Sequence, residues 1–523
     1  MPSFAAHKTA ARNPENQVIA QSEQRMNNFG TRRIYYNNFA EHLLNTFNPN
    51  MTYPDKANRW TDSDWQNMMN MIADCNFNVF EFWLAPRLFC HEALESEFTY
   101  EYIRQIHVAA EAAHKRNIKV EMLCALVTTG NDWFSCCPNV PEEWETIKIL
   151  WKKYAELMDC VDIFCIFPGD PGCCARNGCT AKTYIDKSIE ITHLIKSVRP
   201  DAEFDFNTWG PPVFGWGILE TPAGFEGQFL QDHQASAWNF DARRCRETME
   251  HLVHRAGDFA QPCAFSVNMG FNPDGIPRGD EDGRPWAKLL AEKADVLTWD
   301  FSLTEGENAI FPHYRFQRLF EQRRKERSVG CYSGGICYTM TPLLNSLSLY
   351  EAGRSFVDPD ADYDAVAREF YERAFGRGAG ELVEYLPLFE VIPDWGNHVS
   401  LDISRTEYHR KMSEFVQKLS SWKGRLNGTF RIFPDAEFHR NELEFFAEIF
   451  RDLSSESPDY AAIVERYRKH VYAIYDTLPA HVDPRPQLAV SKLLDFFQNF
   501  TDTTAEFSEN NQAAPGEWVR KRD

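Results

Sequence analysis

Two short segments carry the residue types that acid–base chemistry needs. In IFPGDPGCCARNGC (166–179) a single acid, Asp170, sits among Pro168, Gly169, Pro171 and Gly172. Turn residues of this kind restrict the backbone, so an acid among them is held in one place. A carboxyl fixed at the end of an apolar run suits general acid or base work. The plainer alternative is an Asp that caps its own turn. The second segment, TWDFSLTEGENAIFPHY (298–314), offers Asp300, Glu305 and Glu307 around a glycine. Cleavage of a glycosidic bond uses two carboxyls, one donating a proton and one acting as base or nucleophile. Asp170 and Glu305 are the catalytic pair this pattern offers, with Asp300 competing for the second role. For either Glu the alternative is a solvated loop charge.

Polar residues also interrupt apolar runs: Glu81, Glu121, Asp205, Asn207, Asn268 and Asp300. An unpartnered buried charge costs several kcal/mol, so each needs a ligand, a partner or water. Glu121 lies early in its run and reads as an internal salt bridge. Glu81, Asp205 and Asp300 read as residues of an open mouth, with internal pairing as the alternative. Trp83, Trp209, Trp216, Trp238, Trp299 and Tyr338 lie near the same run ends or in the following segments. Their rings can stack on sugar faces or serve as core. QDHQ (231–234) adds Asp232 and His233 as ligand contacts, and Arg87 can bind an acidic sugar's carboxylate or pair with mouth acids. Cys173, Cys174 and Cys179 lack the paired CxxC units and nearby His of zinc sites, which leaves free thiols as the default over a metal or a local disulfide.

The elements that must position these residues repeat along the chain. Eight β-branched or aromatic runs each end in turn residues and lead into a helical pattern: RRIYYNN (32–38), NVFEFWLA (78–85), KVEMLCAL (119–126), DIFCIFPGD (162–170), EFDFNTWG (203–210), AFSVNMGF (264–271), VLTWDFSL (296–303) and GGICYTM (334–340). Between them, WTDSDWQNMMNMIADC has an N-cap candidate at Thr61 or Asp62, and TYEYIRQIHVAAEAAHKRN carries apolar residues at 103, 106, 109, 110 and 113, the spacing of one helix face. Eight strand–helix units predict an α/β fold, a (β/α)₈ TIM barrel, whose active sites lie at the C-terminal ends of the strands. No GxGxxG follows the first run, which disfavours a dinucleotide fold. After residue 340 only helical patterns continue. The expected organisation is an N-terminal arm (1–28), a barrel (29–356) and a helical C-terminal domain (357–523).

Composition bounds the function. The chain has 523 residues, 43% hydrophobic and 25% charged, which excludes disorder over most of its length. Its net charge of −21 repels phosphate backbones, so nucleic acid is not an expected partner. No apolar run reaches the roughly 18 residues of a membrane span, and the opening MPSFAAHKTAARNPENQ has no apolar core of a secretory signal. A cytoplasmic protein with reduced thiols is expected among its 14 Cys, with no membrane partner.

Strand ends reading FEFW, FPGDPG, FNTWG and WDFSLTEGEN, followed by SLYEAGRSFVDPDADYDAVAREFYERAFG and a helical tail, resemble carbohydrate-active (β/α)₈ enzymes. The nearest comparison is the broad group of family 20 hexosaminidases, family 67 α-glucuronidases and related bacterial glycoside hydrolases. The resemblance implies a glycosidase with an acid at the end of the fourth strand, where Asp170 stands. Family 20 enzymes carry an adjacent Asp-Glu pair there, whereas Pro171 follows here; family 67 enzymes carry Glu.

The resulting expectation is an exo-acting glycoside hydrolase on oligosaccharides. Asp170 and Glu305 would be its catalytic pair, and Glu81, Trp83, Arg87, Asp205, Asn207, Trp209, Asp232, His233, Asn268, Asp300 and Tyr338 would bind the sugar. No metal or other cofactor is expected, and the helical domain is a candidate for homo-oligomer contacts. Two other readings use the same residues. One is a metal-dependent sugar isomerase, epimerase or lyase with Glu81, Asp205, His233 and Asp300 as ligands. The other is a carbohydrate-binding protein without turnover.

Overall fold

A computed structural model describes residues 29–36, 53–54, 60–84, 97–127, 136–167, 176–208, 242–267, 284–300, 316–328, 330–331, 333–338, 346–389, 403–477, 488–491, 493–494 and 497–498. Within these, the side chains of 97–99, 242–245, 284–285, 299–300, 316–318 and 336–338 are not described. Eight parallel strands close into a barrel in sequence order. They are β1 (Arg32–Tyr36), β2 (Val79–Trp83), β3 (Lys119–Ala125), β4 (Ile163–Phe167), β5 (Glu203–Asn207), β6 (Cys263–Val267), β7 (Val296–Asp300) and β8 (Ser333–Tyr338). Each falls within one residue of an expected run. The ring closes through β1 and β8, with Arg33 in register with Gly335 and Ile34 with Ile336.

A helix follows every strand: α1 (Asp62–Asp74), α2 (Glu97–His114), α3 (Pro141–Leu157), α4 (Ala181–Val198), α5 (Ala242–Arg255), α6 (Arg284–Ala291), α7 (Phe316–Ser328) and α8 (Ser346–Val357). Local sequence sets their limits. Thr61 caps α1 in a reciprocal box with Asp64, the Asp64 amide donating to Thr61 Oγ1 at 3.2 Å and the Thr61 amide to Asp64 Oδ2 at 2.8 Å. Thr180 and Thr183 do the same for α4, and Pro141 opens α3, where a missing amide hydrogen costs nothing. Asn76 (φ 70°), Asn117 (φ 57°) and Gly330 (φ 80°) take the left-handed conformation just after α1, α2 and α7, turning the chain into the next strand.

Strand alternation divides the core in two. Ile34, Tyr36, Phe80, Phe82, Val120, Met122, Phe164, Ile166, Phe204, Phe206 and Phe265 face outward and pack with Trp65, Met68, Ile106, Trp151 and Ile185 from the helices. Burial of each such side chain contributes about 1.5–3 kcal/mol. A separate inner cluster comprises Tyr35, Trp83, Leu123, Ala125, Cys165 and Phe167.

Beyond β8 the described residues contain no further strand. Helices α9 (Tyr363–Phe375), α10 (Arg405–Ser421), α11 (Ala436–Leu453) and α12 (Tyr460–Tyr475) begin at Asp362, Ser404, Asp435 and Asp459, each accepting a hydrogen bond from an amide of the first turn. A 3₁₀ segment, Ala379–Phe389, lies between α9 and α10 and was not expected; its Val383, Leu386 and Phe389 are buried. These helices share the outer cluster with the barrel. Trp60 joins the two, its ring 5.6 Å from Tyr36, 4.5 Å from Trp65 and 5.0 Å from Phe433. Among the described residues no helix is long and apolar enough to cross a membrane.

Candidate functional site

The barrel interior is built in layers from the inward residues of each strand. Its lower layer is charged. Arg33, the second residue of β1, points into the ring and is fully buried. Its Nη1 donates to Glu121 Oε1 and Asp205 Oδ2, both at 2.7 Å, and its Nη2 donates to Ser266 Oγ at 2.6 Å. Glu81 Oε2 lies 3.1 Å from Nε. Ser266 Oγ in turn donates to Asp205 Oδ2 at 2.5 Å, and the Cys165 thiol reaches the same oxygen at 3.4 Å. None of the four charged side chains is more than 2% exposed. Residues of β2, β3, β5 and β6 therefore converge on the guanidinium of β1, and Cys165 of β4 joins them through Asp205.

Gly335 leaves the room for that guanidinium. A Cβ there would lie 2.6 Å from Arg33 Nε and 3.0 Å from Nη2. Its neighbour Gly334 faces the other way, against the Phe356 ring and the Arg323 guanidinium. There a second buried pair, Arg323 with Glu326 at 2.6 Å, packs between strands and helices, Arg323 lying 4.2 Å over the Phe356 ring. The Gly-Gly of β8 thus admits an arginine on each face.

Electrostatics in the lower layer are unbalanced, with three carboxyls around one guanidinium. Burial pushes the Glu121 carboxyl well above the usual range; Arg33 opposes this, while Glu81 and Asp205 add to it. Glu121 accordingly keeps a proton where an exposed Glu would lose it. Burial works against the charge of Arg33 but is outweighed by Glu121, Glu81 and Asp205, which hold its pKa above the ordinary value. Burial, then Asp205, likewise raises the Cys165 thiol.

The layer above is apolar and aromatic. Trp83 and Phe167, the last residues of β2 and β4, meet edge to face at 5.5 Å, and the Tyr102 hydroxyl donates to the Trp83 carbonyl at 3.1 Å. Asn207 ends β5 and is buried. This second layer is the floor of the barrel's C-terminal mouth.

Placement of the expected site residues follows from these layers. Trp83 and Asn207 stand at strand ends, as expected. Glu81 and Asp205 do not stand open at the mouth: each is two residues below its strand end, fully buried and bound to Arg33. Glu121 is paired internally, as its early position indicated. Asp300 and Tyr338 close β7 and β8, but their side chains lie outside the described residues, as do Arg87, Asp170, Cys173, Cys174, Trp209, Asp232, His233, Asn268, Glu305 and Glu307. Cys179 is buried. Arg33 was not anticipated. The signal was present: three acids inside apolar strands call for a buried cation, and Arg33 lies within the first run. Glu81, Glu121 and Cys165 bring ligand atoms within 4.8 Å of one another, but the guanidinium already serves as the cation there.

No family model matches the chain. Among curated proteins, 90 residues are 28% identical to part of the DNA-dependent protein kinase catalytic subunit of Canis lupus familiaris; the match spans 16% of this chain and about 2% of that protein. Solved structures of similar architecture include a GH138 enzyme targeting pectin rhamnogalacturonan II (TM-score 0.49, 10% identity, 92% of this chain and 84% of that one). They also include CpGH84B (0.47, 11%, 92% and 74%) and an O-GlcNAc hydrolase variant of Thermobaculum terrenum (0.45, 12%, 86% and 92%). All three scores lie below 0.5, and the barrel assignment rests on the strand pairing itself.

Proposed function

We propose that the chain is a glycoside hydrolase, exo-acting on oligosaccharides, with its active site at the C-terminal mouth of the barrel. Asp170 is the proton donor and Glu305 the base or nucleophile. The observation that carries this reading is the closed, sequentially ordered ring. In such a ring β4 and β7 are three places apart, so their C-terminal ends lie on well-separated sides of one mouth. Asp170 follows the end of β4 by three residues and Glu305 the end of β7 by five. The aromatic floor of Trp83 and Phe167 suits the apolar face of a sugar ring, and Asn207 its hydroxyls. Glu81 and Asp205, held by Arg33, act one layer below, fixing strand ends rather than touching sugar. The same pairing weighs against a metal-dependent isomerase, which would need Glu81 and Asp205 as ligands.

A panel of nitrophenyl glycosides that includes uronic acids and amino sugars identifies the substrate. Asp170→Asn and Glu305→Gln are each expected to lower kcat at least about 10²-fold on it. Near wild-type turnover in both variants removes this assignment, and sugar binding without any turnover in the parent chain supports a binding protein instead.

A further inference from the structure

At the end of the barrel where the strands begin, α2 and the connection from α3 to β4 enclose a surface concavity of about 600 Å³, lined in part by Arg104, His107, Glu111, His114 and Cys160. It lies away from the strand C-termini and the proposed sugar site. Three side chains of different metal-binding chemistry meet at its edge. The imidazole of His107, the carboxylate of Asp159 and the thiol of Cys160 bring one ligand atom each to within 4.8 Å of one another. His107 Nε2 is 3.7 Å from Asp159 Oδ1 and 3.1 Å from the Leu157 carbonyl oxygen. Bond lengths of about 2.0–2.3 Å in a tetrahedral site place ligand atoms about 3.3–3.8 Å apart. The imidazole–carboxylate separation already has that value, and the thiol needs to close by no more than about 1 Å.

We propose that His107, Asp159 and Cys160, with the Leu157 carbonyl as fourth donor, bind a zinc-type divalent transition metal. Imidazole with thiolate selects borderline-soft ions over Mg²⁺ or Ca²⁺. Among the nine described cysteines, Cys160 is the one that is half-buried rather than buried, and it lines the concavity. Coordination displaces the Cys160 thiol proton to solvent, as metal–thiolate binding requires. His107 Nε2 exchanges its link to the Leu157 carbonyl for the metal, and its proton moves to Nδ1. Behind these ligands His114 pairs with Asp162 at 2.8 Å. The metal would tie α2 to the α3–β4 connection.

Cobalt(II), a spectroscopic substitute for zinc, tests this on the full chain. One equivalent is expected to give a thiolate-to-cobalt charge-transfer band in the near ultraviolet, abolished by zinc. Cys160→Ser is expected to lose the band. His107→Gln keeps a donor for the Leu157 carbonyl and is expected to weaken cobalt binding about tenfold or more, since even groups behind the ligands are worth about 10–100-fold. Circular dichroism establishes that both variants are folded. The assignment is overturned if stoichiometric cobalt gives no band in the parent chain. It is equally overturned if the band survives in Cys160→Ser, is lost in Cys174→Ser instead, or is bound as tightly by folded His107→Gln.

Discussion

Replacing Arg33 with Met keeps an unbranched side chain and removes the cation in contact with Glu81, Glu121 and Asp205. All three carboxyls lose the guanidinium that now lies 3.1 Å from Glu81 and 2.7 Å from both Glu121 and Asp205; burial already suppresses the charge at Glu121, so Glu81 and Asp205 are expected to suffer most. Removing one partner of a buried ion pair costs about 3–5 kcal/mol. Losing the hydrogen bond to Ser266 Oγ adds about 1 kcal/mol. The sum, about 4–6 kcal/mol, is a large part of the about 5–15 kcal/mol that holds a typical domain together. Urea unfolding of Arg33→Met should therefore show a much lower midpoint, and native-state hydrogen exchange should show faster opening of β1, β2 and β5. The informative variant is Arg33→Met with Asp205→Asn. Removing the orphaned charge should recover part of the loss, so the double variant should be more stable than the sum of its parts by about 1–3 kcal/mol. A single-variant cost below about 1 kcal/mol, or strict additivity, would refute the view that the guanidinium holds the lower barrel together.

Glu121→Gln mimics the protonated carboxyl. Because the folded-state pKa of Glu121 is raised, the native state binds more protons than the unfolded state above about pH 4.3, and wild-type stability falls as pH rises toward the folded value. The variant should gain on the wild type by up to about 1.4 kcal/mol per pH unit in that window; a difference that stays flat with pH would show that Glu121 is ionised. Gly335→Ala forces a methyl group against Arg33 and should cost about 1–3 kcal/mol in urea melts. Gly353→Ala in α8 drives its Cβ into the Cys75 carbonyl oxygen, backbone that cannot swing aside, and should cost more than Gly335→Ala; the reverse order would contradict the close approach of α8 to the end of α1.

The barrel was legible because each strand is a short β-branched or aromatic run punctuated by turn residues, a signal that depends only on neighbours in sequence. The start of α1 was legible to within a residue for the same reason: of the two cap candidates, Thr61 and Asp62, Thr61 is the cap. The 3₁₀ segment Ala379–Phe389 was not, because GELVEYLPLF has apolar residues without a regular helical period and a proline at 387. Its conformation is set by what it packs against.

Acids inside strands were the harder problem, because one residue type serves two opposite purposes. Glu81 and Asp205 lie on the inward face, as alternation demands, and a charge there can sit at the mouth or in the charged layer beneath it. What separates the two is depth. Each is the third residue of a five-residue strand, and the mouth belongs to Trp83 and Asn207, two residues on. Sequence marks a strand's end only to within about two to four residues, and one layer of a barrel is two residues deep, so the uncertainty is at least as large as the quantity sought. Charge balance is the better guide. Three inward acids in β2, β3 and β5 need a cation, and a buried one must come from another strand of the same ring. Among the described strands only β1 supplies an arginine at an inward position, Arg33, opposite a residue without a side chain, Gly335. An acid whose partner can be found this way belongs to the charged layer beneath the mouth. An acid placed beyond the strand ends, as Asp170 is by three residues past β4, is the one to test for chemistry.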